Sequence, residues 1–267
     1  MPRLKEGGFS LSTPIVYLSR PAPVSMSDWY YGLGGLDHFW TRRRFDVLAR
    51  IGGKLLSNAG PCADIGCGAG VLQRQIEDRY RLSVTGFELN EIALRNNMSR
   101  ISPLYCYDIH QRDEKFAAKF DIVLLFDVLE HIKEDVPFLE SVKYHMSETG
   151  VLVVNVPAHQ ILYSAYDRAA GHYRRYSIGQ LKRVASLSGL TIRSWTYWGL
   201  PMVPLVATRK IFAATQKTEQ EVYNSGFNPP GGRIGNQLLF RLAGCERIPQ
   251  KFGGTSAMAI LVKSGRG

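Results

Sequence analysis

The chain is expected to be an α/β protein in which seven strands alternate with helices around one sheet. Three observations predict this. At Cys62–Gly70 (C-A-D-I-G-C-G-A-G) a short apolar run ending in an acid leads into three closely spaced glycines, and helix-like sequence follows from Val71. Three more apolar runs end in Glu88, Asp108 and Asp127, and another stops at Pro157. Helical spacing fills the intervals, so strand and helix come in turn rather than in segregated layers.

Residues 1–27, with Pro14, Pro21 and Pro23, lack periodicity and read as an N-terminal arm. From Asp28 the sequence is aromatic and then amphipathic, with Phe45, Leu48 and Ile51 at helical spacing. After the glycines come a helix over Val71–Arg79, a strand over Leu82–Phe87, a helix over Glu91–Arg100 and a strand over Leu104–Tyr107. Phe120–Phe126 (F-D-I-V-L-L-F) is long and apolar enough for a strand buried on both faces. A helix over Lys133–Met146 and a strand over Gly150–Val156 follow. Ser177 caps a helix that closes near Gly189. Leu190–Trp198 reads as the sixth strand and Thr255–Lys263 as the seventh. The main domain therefore spans 28–198 and regains its last strand in 254–267. The interval 199–253 exceeds ordinary loop lengths and reads as a cap or insertion. It holds a Pro-punctuated apolar stretch over 201–212, then a polar, Gly/Pro-rich loop through Gly235.

The glycine turn carries the most chemistry. A strand-to-helix turn that meets a nucleotide-type ligand needs Gly, because only Gly lets the backbone approach closely and adopt positive φ. The spacing is G-x-G-x-G, unlike the G-x-G-x-x-G of nicotinamide sites. Asp64, inside the motif, repels a pyrophosphate and suits a cationic ligand. D-I-G-C-G-A-G resembles the first motif of class I S-adenosylmethionine-dependent methyltransferases. The resemblance implies a Rossmann-like sheet with helices on both faces and the seventh strand antiparallel beside the fifth. It also implies S-adenosylmethionine as cofactor, with Asp64 at its methionine end and Gly66, Gly68 and Gly70 passing its ribose and methionine. Glu88, about 20 residues past the glycines, is placed to accept ribose hydroxyls, and Leu89 adjoins it. In the family, an acid like Asp108 meets the adenine amino group and an apolar neighbour like Ile109 covers the ring. Phe126 and Asp127 correspondingly face the methionine end. Arg44 resembles an arginine that binds the cofactor carboxylate in quinone-pathway methyltransferases; a solvated helix face is the alternative. Trp40 and His38 either close over the cofactor or pack on the domain.

Methyl transfer from a sulfonium needs little acid–base machinery, since positioning an activated donor supplies much of the rate. Deprotonating an acceptor hydroxyl helps further. Glu130 and His131, in D-V-L-E-H-I over Asp127–Ile132, are candidates. This run resembles the metal-binding segment of methyltransferases that act on RNA 3′ ends or quinone precursors, with His159 or His172 available to complete a ligand set. It also resembles lipid-modifying C-methyltransferases in which a Glu and a His near the methyl group take part in catalysis. Alternatively, Glu130-His131 simply opens the next helix. Spacing alone does not close the ligand count, so no metal is assigned. The segment Pro157–Ser177 is too polar for a core and resembles a branch of bacterial methyltransferases with a D-x-x-x-G-H-x-R-R-Y element. There His172 or His159 is a candidate base, Asp167 fixes an imidazole, and the arginines grip an anion. The alternative is that Asp167 pairs with Arg174 or Arg175 to pin the loop.

Composition narrows the partners. The 267 residues carry a formal charge of +10 and are 45% hydrophobic. That charge suits anionic lipid, a phosphorylated substrate or nucleic acid. Arg42–Arg44 and Arg174–Arg175 form no basic stripe interleaved with stacking aromatics, so nucleic acid is disfavoured. The four cysteines show no paired spacing, and neither a secretory h-region nor a run of ~18 apolar residues is present, so a reducing cytoplasm is expected. The expected function is S-adenosylmethionine-dependent methylation of a small-molecule or lipid-linked acceptor, at oxygen ahead of carbon. C-methylation of an isoprenoid or lipid-type acceptor is one alternative, and a non-catalytic cofactor-binding partner subunit is another. The 201–212 stretch then serves as a greasy wall or a peripheral membrane contact.

Overall fold

A computed structural model describes residues 14–23, 35–213 and 232–265. Most of the arm, the aromatic entry at 28–34 and the middle of the insertion at 214–231 lie outside the described residues. One sheet contains β1 (Ile15–Tyr17), β2 (Cys62–Ile65), β3 (Val84–Glu88), β4 (Leu104–Cys106), β5 (Phe120–Phe126), β6 (Met146–Pro157), β7 (Leu190–Trp198) and β8 (Ser256–Lys263). Their order is β1-β4-β3-β2-β5-β6-β8-β7. The first six pair in parallel, and β8 enters antiparallel between β6 and β7. The strand count is thus corrected from seven to eight. The extra strand, β1, lies in the stretch read as an arm, where three residues just after Pro14 are too few to show a period.

The apolar run of β5 is buried on both sides. Ile122, Leu124 and Phe126 pack with Phe45, Val47 and Leu48 of α1 (Phe39–Ser57) and with Leu72 and Ile76 of α2 (Val71–Tyr80). Val123 and Leu125 face the other way, toward Phe138, Leu139 and Val142 of α4 (Asp135–His145) and Leu181 and Ala185 of α6 (Ile178–Leu187). Alternate residues therefore feed two helical layers, as a central parallel strand requires. Ser177 caps α6 reciprocally with Gln180.

Helix α3 (Glu91–Arg95) stops well short of Arg100. The chain leaves it to satisfy the buried Glu77 carboxylate, which accepts from Ser99 Oγ (2.5 Å), Arg100 N (2.9 Å) and Ser102 Oγ (2.5 Å). The insertion is also more helical than its composition predicts. It contains α7 (Val203–Ala213) and α8 (Gly232–Gly244), the latter beginning inside the stretch read as a loop. Leu239, Phe240 and Ala243 of α8 pack with Phe39, Trp40 and Met202, and the Arg42 guanidinium sits 3.9 Å from the Phe240 ring centroid. Beneath them, buried Arg43 meets Glu246 at 3.3 Å, and the Glu246 carboxylate also accepts Gly199 N (2.7 Å) and Leu200 N (3.0 Å). Among the described residues no helix is long and apolar enough to cross a membrane.

Candidate active site

A cavity of 580 Å³ opens at the C-terminal ends of β2, β3, β4 and β5, the edge of a parallel sheet where diverging loops receive ligands. Its floor is the turn between β2 and α2. Gly66, Gly68 and Gly70 hold φ of +71°, +54° and +72°. At Gly66 a Cβ would meet Val128 Cγ2 at 2.5 Å. Gly66 and Gly68 line the cavity, but Gly70 does not. Gly70 is instead the N-cap of α2, and its Cβ would meet Asn97 Oδ1 at 2.2 Å. Its place is therefore corrected from cofactor contact to packing.

Two carboxylates lie buried beside this turn. Glu88 Oε2 accepts from Gly68 N (3.0 Å), and Oε1 from Leu89 N (2.7 Å) and Asn90 N (2.9 Å). These fill three of about four lone-pair sites, so Glu88 shapes the turn and keeps one acceptor position open. Burial pushes its pKa up against the pull of those N–H groups. Burial, reinforced by Glu88 and opposed by Arg44, raises the Asp64 pKa to about 7. Leu89, Asp108 and Ile109 line the adjoining wall. Asp108 Oδ1 accepts from His110 N at 2.9 Å.

Opposite stands Asp127, a non-glycine residue at φ +57°. Asn155 Nδ2 donates to its Oδ1 at 2.6 Å, and Arg44 pairs with its Oδ2. Arg44 also reaches over the Phe126 ring, 5.5 Å from the centroid. Arg44, Phe126, Asp127, Trp40 and His38 all line the cavity. Arg44 is thus no solvated helix residue, and Trp40 lines the cavity while packing on Trp198 at 4.4 Å.

Farther along the same wall are Glu130, His131 and His172. The first two occupy a short 3-10 turn, Leu129–His131, separate from α4. His172 arrives from the polar loop, which Tyr173 N ties to Glu130 O at 2.8 Å. One donor atom from each of the three lies within 4.8 Å of the others. Burial first, and Asp127 second, hold the Glu130 pKa well above the usual carboxylate range. Burial and the neighbouring His172 push His131 down to about 3. Asp167 lies behind this group, off the cavity, in α5 (Ala165–Ala169). Its Oδ1 meets His172 Nδ1 at 3.0 Å and Arg175 Nε at 2.8 Å. Burial raises Asp167, but His172 and Arg175 outweigh it and leave a net lowering. Asp167 therefore both pins the loop and orients an imidazole. Arg174 pairs instead with Asp135 at 2.8 Å. His159 is corrected out of the catalytic group: it does not line the cavity, holds φ +62° and stacks on Tyr197 at 4.7 Å.

Several lining residues escaped sequence reasoning. Val206 and Arg209 reach the cavity from α7, and Thr41, Val128, Phe138 and Tyr166 complete its walls. For Arg209 a signal existed, since it and Lys210 are the two cations of the apolar stretch 201–212. Asn155, which supports Asp127 without lining the cavity, was visible as the one polar residue in G-V-L-V-V-N-V.

The methyltransferase-domain family matches residues 36–194. No curated protein matches the chain. Among solved structures, a proposed sarcosine dimethylglycine methyltransferase from Galdieria sulphuraria shares 12% identity at a TM-score of 0.55, over 82% of this chain and 84% of that one. An S-adenosylmethionine-dependent methyltransferase from Archaeoglobus fulgidus shares 16% at 0.51, over 83% and 94%. Haemonchus contortus phosphoethanolamine N-methyltransferase 2, solved with phosphomonomethylethanolamine and S-adenosylhomocysteine, shares 18% at 0.53, over 84% of this chain and 53% of that one. These likenesses show the fold. Together with the family match over more than half its length, they make the chain a member of the class I S-adenosylmethionine-dependent methyltransferases.

Proposed function

We propose that the enzyme methylates a hydroxyl oxygen of a small-molecule or lipid-linked acceptor in a biosynthetic reaction of the cytoplasm. The observation that carries this reading is the mixed wall past Asp127. There Glu130, His131 and His172 share the cavity with apolar Phe39, Ile132, Phe138 and Val206. Such a wall suits an acceptor with an apolar body and one polar reacting group. In the transfer the S–CH₃ bond breaks as the O–CH₃ bond forms in line with it, S-adenosylhomocysteine leaves, and the hydroxyl proton must be removed. The polar trio is the group suited to lowering that hydroxyl's proton affinity. A cytoplasmic setting agrees with free thiols at Cys62, Cys67, Cys106 and Cys245.

Contact with a lipid surface through 201–212 fits the same acceptor class. Ile211 is 70% exposed and Ile161, whose carbonyl accepts from Lys210 Nζ at 2.7 Å, is 80% exposed. An apolar tip beside a cation is suited to an anionic interface. The test is a panel of phenols, prenylated phenols and glycolipids incubated with methyl-labelled cofactor, the product's methyl position being read by NMR. An O-methyl product supports the reading. A C-methyl product would transfer it to the carbon chemistry of isoprenoid or lipid-type acceptors. Turnover of none, with cofactor bound, would favour a non-catalytic subunit.

A further inference from the structure

We infer that Glu130, His131 and His172 form a divalent metal site whose open position faces the cofactor cavity and takes the acceptor oxygen. The role of the ion rests on the reading that the acceptor occupies this wall; the site itself rests on three observations. Donor atoms from all three side chains converge within 4.8 Å although they come from two separate loops. Glu130 is 1% exposed, and its Oε2 is buried with no hydrogen-bond partner. A carboxylate oxygen taken out of water without a donor is costly unless something cationic meets it. Arg175, whose charge acts on Glu130, directs its Nε to Asp167 instead.

The third observation is the support behind the ligands. Asp167 takes the Nδ1–H of His172 and is itself held by Arg175 and by Ser164 N at 2.8 Å, which leaves His172 Nε2 as the lone-pair atom. His131 is hydrogen-bonded to the backbone of Gly171. Imidazoles fixed through their second nitrogen by a carboxylate or a backbone group are what metal ligation requires. Spacing within Asp127–His131 could not close the ligand set, because the third ligand comes from the loop after β6.

Two imidazoles and a carboxylate suit Zn²⁺, Co²⁺ or Mn²⁺ better than Ca²⁺ or Mg²⁺, which favour all-oxygen shells. Three protein ligands with a fourth position open is the catalytic arrangement. A tetrahedral ion with bonds near 2.1 Å would need donor separations of about 3.4 Å, so binding would require the three side chains to close slightly. An ion held by these residues would supply Lewis acidity that eases loss of an acceptor hydroxyl proton to water, while O–CH₃ forms as S–CH₃ breaks and S-adenosylhomocysteine leaves.

The test uses the full chain, stripped with chelator and titrated with Co²⁺ followed by absorption and calorimetry, with Zn²⁺ as competitor. We expect one ion per chain, a visible Co²⁺ ligand-field spectrum and displacement by Zn²⁺. Glu130→Gln and His172→Asn should abolish the spectrum, and Asp167→Asn should weaken affinity about 10–100-fold. His159→Asn, off the cavity, should change neither. S-adenosylhomocysteine binding reports the fold of each variant. Where a variant fails to fold, protection of His131 and His172 from carbethoxylation by Zn²⁺ in the wild type decides the matter. Absence of a stoichiometric ion, binding indifferent to Glu130→Gln and His172→Asn, or no Zn²⁺ protection would overturn the site. Failure of the wild type to bind S-adenosylhomocysteine would instead strike the functional reading, while the Co²⁺ titration still decides the metal.

Discussion

Asn155 Nδ2 donates to Asp127 Oδ1 at 2.6 Å, and the other face of the same amide accepts Trp198 Nε1 at 2.8 Å. One strand residue thus links the packed edge of the sheet to the mouth of the cavity. It holds Asp127 at a left-handed φ that costs an L-residue of order 1–3 kcal/mol, and so presents the carboxylate to Arg44.

Replacing Asn155 by Ala orphans the buried Trp198 indole N–H and removes a donor from the half-buried Asp127 carboxylate. At about 1–3 kcal/mol for one buried unsatisfied group, Asn155→Ala should lose that much unfolding free energy in urea titration. The variant should also bind S-adenosylhomocysteine more weakly, because Arg44 loses its fixed partner. Unchanged affinity in a folded variant would detach this network from the cofactor.

The raised pKa of Asp64 has two opposite consequences with pH. In the cofactor-free protein the group titrates near 7 against 3.8 when unfolded. The folded state therefore binds the extra proton between these values. Its contribution is fully present below about pH 4 and is lost as pH rises through 7. The melting temperature of Asp64→Asn relative to wild type should accordingly increase from pH 5 to pH 8. A cationic ligand selects the carboxylate, so S-adenosylmethionine affinity should rise across pH 6–8 in the wild type and stay flat and weaker in Asp64→Asn. Calorimetry in buffers of different ionisation enthalpy should register proton release on binding below pH 7.

Arg43 and Glu246 make a buried pair that also anchors the backbone of Gly199 and Leu200 at the start of the insertion. Removing one partner strands the other charge, so Glu246→Ala should cost about 3–5 kcal/mol in denaturant unfolding. Arg43→Met with Glu246→Leu should recover much of that loss. A double variant no better than the single one would mean that the two N–H bonds to Glu246, rather than the ion pair, hold the insertion.

The fold was legible where physics acts on consecutive residues. The two-sided run Phe120–Phe126 and the cap residue Ser177 show in the sequence because a continuous apolar run and a helix cap are local. The short strand Ile15–Tyr17 did not show, since its pairing partners among the described residues, Leu104 to Cys106, lie far along the chain. The cofactor turn was legible for the same local reason. All three members of the polar trio were candidates in the sequence, but their convergence was not legible: His172 comes from a separate loop, tied by Tyr173 N to Glu130 O and set edge-on to His131 at 4.6 Å. His159 misled because residue type and proximity to a strand end say nothing about a φ of +62°, which turns the ring onto Tyr197.

The contact between Gly66 and Val128 provides a separate test of the turn. At Gly66 an added methyl faces two obstacles, a φ of +71° and a Val128 methyl at 2.5 Å. The left-handed conformation costs a residue with a Cβ roughly 1–2 kcal/mol. The collision adds a term that depends on whether Val128 can retreat. Gly66→Ala should therefore reduce S-adenosylhomocysteine affinity and melting temperature together, because the loops after β2 and β5 are pushed apart. Val128→Ala combined with Gly66→Ala removes the collision but not the backbone cost. It should restore part of the affinity, leaving a deficit near the left-handed penalty. A double variant as weak as Gly66→Ala alone would assign the whole effect to φ, and full recovery would assign it to the contact with Val128.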